Sequence, residues 1–262
     1  MRPVVATALF VSLLPAAACK KEKPVAPTEM TEILTYMFVN WEDEEKLAAA
    51  SDNLKPWLDD NATSEQTIDG YQLSPLDPED IGDSVIYPAD AAFEEQLGAA
   101  GGNVSSFPLD AQTEHMVVAD QVFANEKSYN QYDRTISEGN AASFKKGSGV
   151  LRTDNEVSTQ VLIYEIPYDL KKDYRWIEGE SSRSIIARSW IEEEGCNEGG
   201  GTCLLQSFSV DVFMDDGEQT QRLTATWAQT KPSLGDDFMV DSLADGLQDV
   251  FEGTDLWMEE NL

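Results

Sequence analysis

A single histidine, His115, and three cysteines are all the imidazole and thiol groups that 262 residues supply. Multi-histidine metal centres are thereby excluded. A Cys-x-x-Cys redox or zinc site is excluded too, because Cys19, Cys196 and Cys203 lack that spacing. A Ser-His-Asp triad would have to use His115, and no Gly-x-Ser-x-Gly elbow accompanies it, since Gly147-Ser148-Gly149 is too short. Glycine motifs that cradle phosphates or dinucleotides are missing. Basic residues are scarce, 18 Lys and Arg against 49 Asp and Glu, for a net charge of −31. Such a field repels nucleic acid and anionic lipid surfaces. No self-similar period marks a solenoid or propeller.

What the chain has at its start is an export leader. Met1 and Arg2 are the positive end, Val4 to Leu14 the apolar stretch, and Pro15-Ala16-Ala17-Ala18 the small residues before Cys19. The apolar stretch falls short of the ~20 residues that span a bilayer, and Pro15 interrupts it, which argues against a transmembrane anchor. The leader resembles a bacterial lipoprotein signal, with Ala16 where that pattern usually has Leu. The resemblance implies a leader over residues 1–18 and diacylglycerol on Cys19. Cleavage as an ordinary secretory leader would instead leave Cys19 a free thiol.

Residues 19–27 then form a tether. Lys20-Lys21-Glu22-Lys23-Pro24-Val25-Ala26-Pro27 has almost nothing to bury, and at about 3.1 Å per residue it gives a spacer of roughly 25 Å. Its lysines sit where an anionic membrane surface attracts them. The residue after Cys19 is Lys20 rather than aspartate. By the sorting rule of lipoproteins in diderm bacteria this implies the outer membrane, on its periplasmic or surface face.

Residues 28–262 read as one α+β domain, helix and loop before residue 128 and strands after it. Met30, Ile33, Leu34, Met37, Phe38 and Trp41 make one stripe of a helix that Thr28 can cap. A second helix is expected from Ser51, with Pro56 in its first turns, and a third over Ala91 to Leu97. Strands are expected over 157–166, 174–178 and 184–194. From Leu204 to Met214 an apolar face alternates with a polar one, Asp215-Asp216-Gly217 turns the chain, and Gln219 to Gln229 returns with Leu223, Ala225 and Trp227 on one side. This predicts an antiparallel meander of at least five strands. After Ser233, an amphipathic run carries Met239, Leu243, Leu247 and Val250 on one face, with Gly246 beside it to permit close approach to a sheet.

Cys196 and Cys203 close a loop containing three glycines between two strands, and in an oxidising compartment they read as a disulfide. A meander followed by a C-terminal helix, with another helix at the N-terminus, resembles the helix-grip arrangement of START-type lipid-binding domains. The likeness lies in element order, and residues 61–128 do not map onto it. It implies an apolar cavity between sheet and helix, and a hydrophobic small molecule as ligand.

Residues that can line such a pocket are Tyr164, Arg188, Trp190 and Trp227. Ile186, Arg188 and Trp190 share strand register and hence one face. If that face is internal, Arg188 needs Glu165 or an anionic headgroup; otherwise it is a solvated arginine paired with a surface acid. Catalytic residues are not assigned. Ser143-Phe144-Lys145-Lys146 and Ser51-Asp52-Asn53 match penicillin-enzyme elements only in the wrong order, and 49 acids make any one carboxylate pair uninformative. Asp77-Pro78-Glu79-Asp80-Ile81-Gly82-Asp83 misses the ligand positions of a calcium loop and reads as a turn into a capped helix. The expected protein is a lipid-anchored, non-enzymatic envelope protein without metal or cofactor, which binds a hydrophobic small molecule. The alternatives are a protein-interaction role without a cavity, and a hydrolase built on acids.

Overall fold

The structure, a computed structural model, describes residues 24–89, 91–161, 164–232 and 236–262; the expected leader, Cys19 and most of the expected tether lie outside them. Side-chain alternation along β8 (Cys203–Asp216) and β9 (Gln219–Lys231) creates two faces, and both are buried. The turn between them uses Gly217 at φ 75°, a left-handed position that favours glycine. Earlier strands are β1 (Tyr71–Leu73), β2 (Leu97–Ser105), β3 (Tyr129–Gly139), β4 (Val150–Val161), β5 (Tyr164–Glu178), β6 (Arg183–Ile191) and β7 (Gly195–Cys196). Among the described residues these nine strands form one antiparallel sheet in the order β1-β2-β9-β8-β6-β5-β4-β3, with β7 on β8. Cys196 and Cys203 are register partners and are joined as a disulfide.

One face carries α1 (Met30–Val39) and α2 (Glu44–Asn61). The predicted stripe Ile33, Leu34, Met37, Phe38 and Trp41 packs there with Phe208, Val210, Val212, Leu223, Ala225 and Trp227. Full burial of side chains this size contributes about 1.5–3 kcal/mol each. Phe38 meets Phe208 edge-on at 5.6 Å, and Trp41 Nε1 donates to the Ile186 carbonyl at 3.2 Å. Thr28 does not cap α1, whose N-cap is Glu29 without a side-chain bond. Asn53 Nδ2 donates to the carbonyls of Ala26 (3.1 Å) and Pro27 (2.8 Å), so the chain just before Thr28 is strapped to α2. The second helix begins at Glu44 rather than Ser51, because Asp43 accepts from the Lys46 N–H, and Pro56 lies inside it.

The other face carries α5 (Leu109–Met116) and α7 (Asp236–Asn261), and two short helices, α3 (Glu65–Asp69) and α6 (Ala141–Phe144), precede β1 and β4. The sheet therefore grips a C-terminal helix, as the element order implies, and the fold is α+β with helices at both ends. Two strands, β1 and β2, precede residue 128, and the helix expected over 91–97 is a single 3-10 turn, Phe93–Glu95, leading into β2. β2 begins Leu-Gly-Ala-Ala-Gly-Gly, and packing requires those small residues. A Cβ on Gly98 would lie 2.7 Å from Trp227 Cδ1, and one on Gly102 2.4 Å from the Arg222 carbonyl oxygen. The expected 157–166 strand is split between β4 and β5. Asp77 does cap a short helix, α4 (Pro78–Ile81), by accepting from the Glu79 N–H at 2.8 Å. Among the described residues no helix is long and apolar enough to cross a membrane.

Candidate functional site

Opposite α7, the sheet turns a row of small polar side chains inward. Register aligns Lys172 of β5 with Ser189 of β6, Ser189 with Ser209 of β8, and Ser209 with Thr226 of β9. One step along, Asp211 pairs with Thr224, and Ser207 with Ala228. Between this wall and α7 lies a cavity of about 460 Å³, within the range of small-molecule sites. The helix contributes Leu243, Leu247, Val250 and Phe251, and Tyr129, Tyr132 and Tyr168 complete the lining. Gly246 does not bring α7 close to the sheet. Nothing lies within 4 Å of the place its Cβ would take, and the residue opens on the cavity.

Charge in the cavity is balanced. Lys172 Nζ lies 2.7 Å from Asp211 Oδ2, and Asp211 Oδ1 accepts from Thr224 Oγ1 at 2.9 Å. Burial works against the Lys172 charge, but the Asp211 carboxylate together with the Tyr174 and Tyr132 phenols outweighs it, so the ammonium is held above its ordinary pKa. Burial and neighbouring phenols push Tyr129 and Tyr168 up, leaving both as neutral hydroxyls at physiological pH. Beneath them Arg134 donates to Asn155 Oδ1 (2.9 Å), the Met116 carbonyl (2.7 Å) and the Tyr132 hydroxyl (3.3 Å). Arg134 is thus a positioning residue for the Tyr132 wall. Such an array offers a bound molecule fixed donors and acceptors on one side and hydrocarbon on the other.

The roof is pinned at its C-terminal half. Arg222 donates to both Asp255 oxygens (3.0 and 2.8 Å), to Thr254 Oγ1 (3.1 Å) and to the Phe251 carbonyl (3.3 Å). Ser105 Oγ of β2 donates to Asp255 Oδ1 at 2.7 Å. Gly253 lets α7 touch the 3-10 turn Val122–Asn125, since a Cβ there would lie 2.4 Å from the Ala124 carbonyl oxygen.

None of Tyr164, Arg188, Trp190 and Trp227 lines this cavity. Arg188 and Trp190 do share a face with Ile186, but it is the face under α1 and α2. There Arg188, 1 % exposed, sits over the rings of Trp41 (4.7 Å) and Trp190 (5.1 Å). Its partners are Glu42 (2.9 Å) and Asp173 (3.5 Å), not Glu165, which accepts from Ser158 Oγ at 2.6 Å. Burial lowers the Arg188 pKa and raises that of Asp173, which also faces Arg152. Trp227 donates to the Ser74 carbonyl at 2.9 Å, and Tyr164 is exposed at the start of β5.

His115 is buried on α5 beside Phe213. Burial, then the charges of Arg134, Arg222 and Lys172, hold it well below its ordinary pKa. The Ser51-Asp52-Asn53 triplet is structural. Ser51 bonds Ser184, Asp52 accepts from the Glu180 and Ser181 N–H groups, and Asn53 holds the chain just before Thr28. No group of acidic, histidine or cysteine side chains suited to a metal occurs among the described residues. The cavity-facing stripe Ser207, Ser209, Asp211 and Thr224, Thr226 is legible as alternation, but in sequence it looks like a solvent face.

No protein-family model and no curated protein matches the chain. Solved structures do. The Thermus thermophilus protein TTHA0849 is 11% identical, with a TM-score of 0.46 over 62% of this chain and 97% of its own. A STAR-related lipid transfer protein fragment from Xanthomonas axonopodis is 8% identical, with a TM-score of 0.44 over 66% of this chain and 97% of that one. The Zhui aromatase/cyclase from a Streptomyces species is 14% identical, with a TM-score of 0.36 over 61% and 93%. At these scores the likeness reaches the outline of the fold and nothing finer.

Proposed function

We propose that this chain is a cell-envelope lipoprotein, held by lipid on Cys19, whose folded body binds a small amphipathic molecule between the sheet and α7. The cavity of about 460 Å³, with apolar side chains on its helix wall, is the observation that carries the binding reading. The leader and the lysine-proline tether support the anchored one.

Binding is tested by purifying the full chain from membranes and analysing an organic extract by mass spectrometry. One small molecule per chain is the expected result. A clean extract, together with no uptake of added apolar probes, overturns the reading. Anchoring is tested separately by Cys19→Ser. The variant should lose the acyl mass at its mature terminus and leave the membrane fraction, and retention of both would contradict anchoring.

A further inference from the structure

Polarity in this cavity changes mainly across its width: hydroxyls run along the sheet wall, interrupted by Leu170, Leu204 and Ala228, and apolar side chains of α7 face them. Ser207, Ser209 and Asp211 follow one another down β8 at two-residue steps, and Thr224 and Thr226 face them on β9. At about 3.4 Å per residue the β8 stripe alone runs roughly 14 Å. On the opposite wall Leu243, Leu247 and Val250 run down α7 for about 10 Å at 1.5 Å per residue. A ligand with a polar head and an apolar tail would have to lay its tail along hydroxyl groups. The hydroxyls of Ser207 and Thr226 have no protein partner among the described residues, so an apolar surface against them would leave them unsatisfied. The only ammonium among the described residues of the lining, that of Lys172, is already paired with Asp211, and the chain's own charge is −31. A ligand anion would gain little here.

We infer that the ligand is a facial amphiphile without net negative charge: a flat or rod-shaped molecule with hydroxyl or carbonyl groups along one long side and hydrocarbon along the other. This rests on the binding function proposed above and names the ligand class of that same cavity. Thr226 and Ser207 are then specificity-determining residues, each giving a hydrogen bond to the polar side of the molecule.

The test compares two zwitterionic probes, each below its micelle-forming concentration, by calorimetric titration into the full chain. CHAPS has a rigid ring system with hydroxyls on one face, and dodecylphosphocholine has a head and a tail. CHAPS should bind at least about tenfold more tightly, a difference of about 1.4 kcal/mol. Thr226→Val replaces the hydroxyl by a methyl of equal size. It should weaken CHAPS by about tenfold and strengthen dodecylphosphocholine, with the unfolding temperature unchanged. Ser207→Ala provides a second, independent variant with the same expected direction. Tighter binding of dodecylphosphocholine, or CHAPS binding indifferent to both variants, overturns the facial preference and leaves the cavity as a binding site. Binding of neither probe, with a clean organic extract, removes the binding function itself.

Discussion

Lys172 on β5 and Asp211 on β8 meet at 2.7 Å across the intervening strand β6, at the sheet wall of the cavity. Both side chains are largely buried, so removing one partner strands a charge. Lys172→Met is expected to destabilise the fold by about 3–5 kcal/mol, while Lys172→Met with Asp211→Leu should recover most of that loss. Urea unfolding of the three proteins measures this. A double variant no more stable than the single one would show that the pair is not the cause.

The same pair sets the alkaline limit. Lys172 titrates above its ordinary value of 10.5 in the folded chain, and Tyr129 and Tyr168 above theirs of 10.0. Each keeps its proton longer folded than unfolded. Their contribution is therefore full below about pH 10 and is lost as pH rises beyond it. Stability measured from neutral to strongly alkaline pH should be flat and then fall steeply, and Lys172→Met should fall less steeply.

His115 acts at the other end of the scale. Its folded pKa lies well below the ordinary 6.5, so in mildly acid solution the unfolded chain takes up a proton that the folded chain refuses. Stability should fall as pH drops below about 6.5, on top of the carboxylate effects common to any acidic protein. His115→Leu removes that component, and its stability should depend less on pH between neutral and mildly acid conditions. Parallel curves for variant and parent would contradict the buried neutral imidazole.

Arg222 and Asp255 latch α7 to β9, with Ser105 of β2 joining through the same carboxylate. Asp255→Ala leaves the Arg222 guanidinium buried without its charge partner, and a loss of about 3–5 kcal/mol is expected. Hydrogen exchange should show the C-terminal half of α7 losing protection first, with the β5–β6 hairpin unaffected. Uniform loss across the sheet would mean that the latch is not local.

Much of this arrangement is legible in the chain itself. The β8–β9 hairpin follows from alternation and the Asp-Asp-Gly turn, and α1 from its stripe of Ile33, Leu34, Met37 and Phe38. β2 is not legible, because close packing under Trp227 and beside Arg222 demands glycine and alanine where strands usually show β-branched residues. The cavity wall is hidden for a different reason. When both faces of a sheet are covered, the polar face of β8 no longer marks solvent, and alternation cannot say which face meets α7. Arg188, Trp190 and Trp227 sit on the apolar face, which is filled by α1 and α2. The open space lies behind the serines and threonines.

Gly246 stands where helix and cavity meet, and a side chain there would enter empty space. Replacing a helical glycine by leucine should also favour the helix, by up to about 1 kcal/mol. Gly246→Leu and the unaltered chain, purified side by side, are compared by mass spectrometry of their organic extracts and by thermal unfolding. The unaltered chain is expected to carry one small molecule per chain. The variant should be at least as stable and carry none. Equal loading of the two proteins, or two clean extracts together with no uptake of added apolar probes, would contradict a binding site between the sheet and α7.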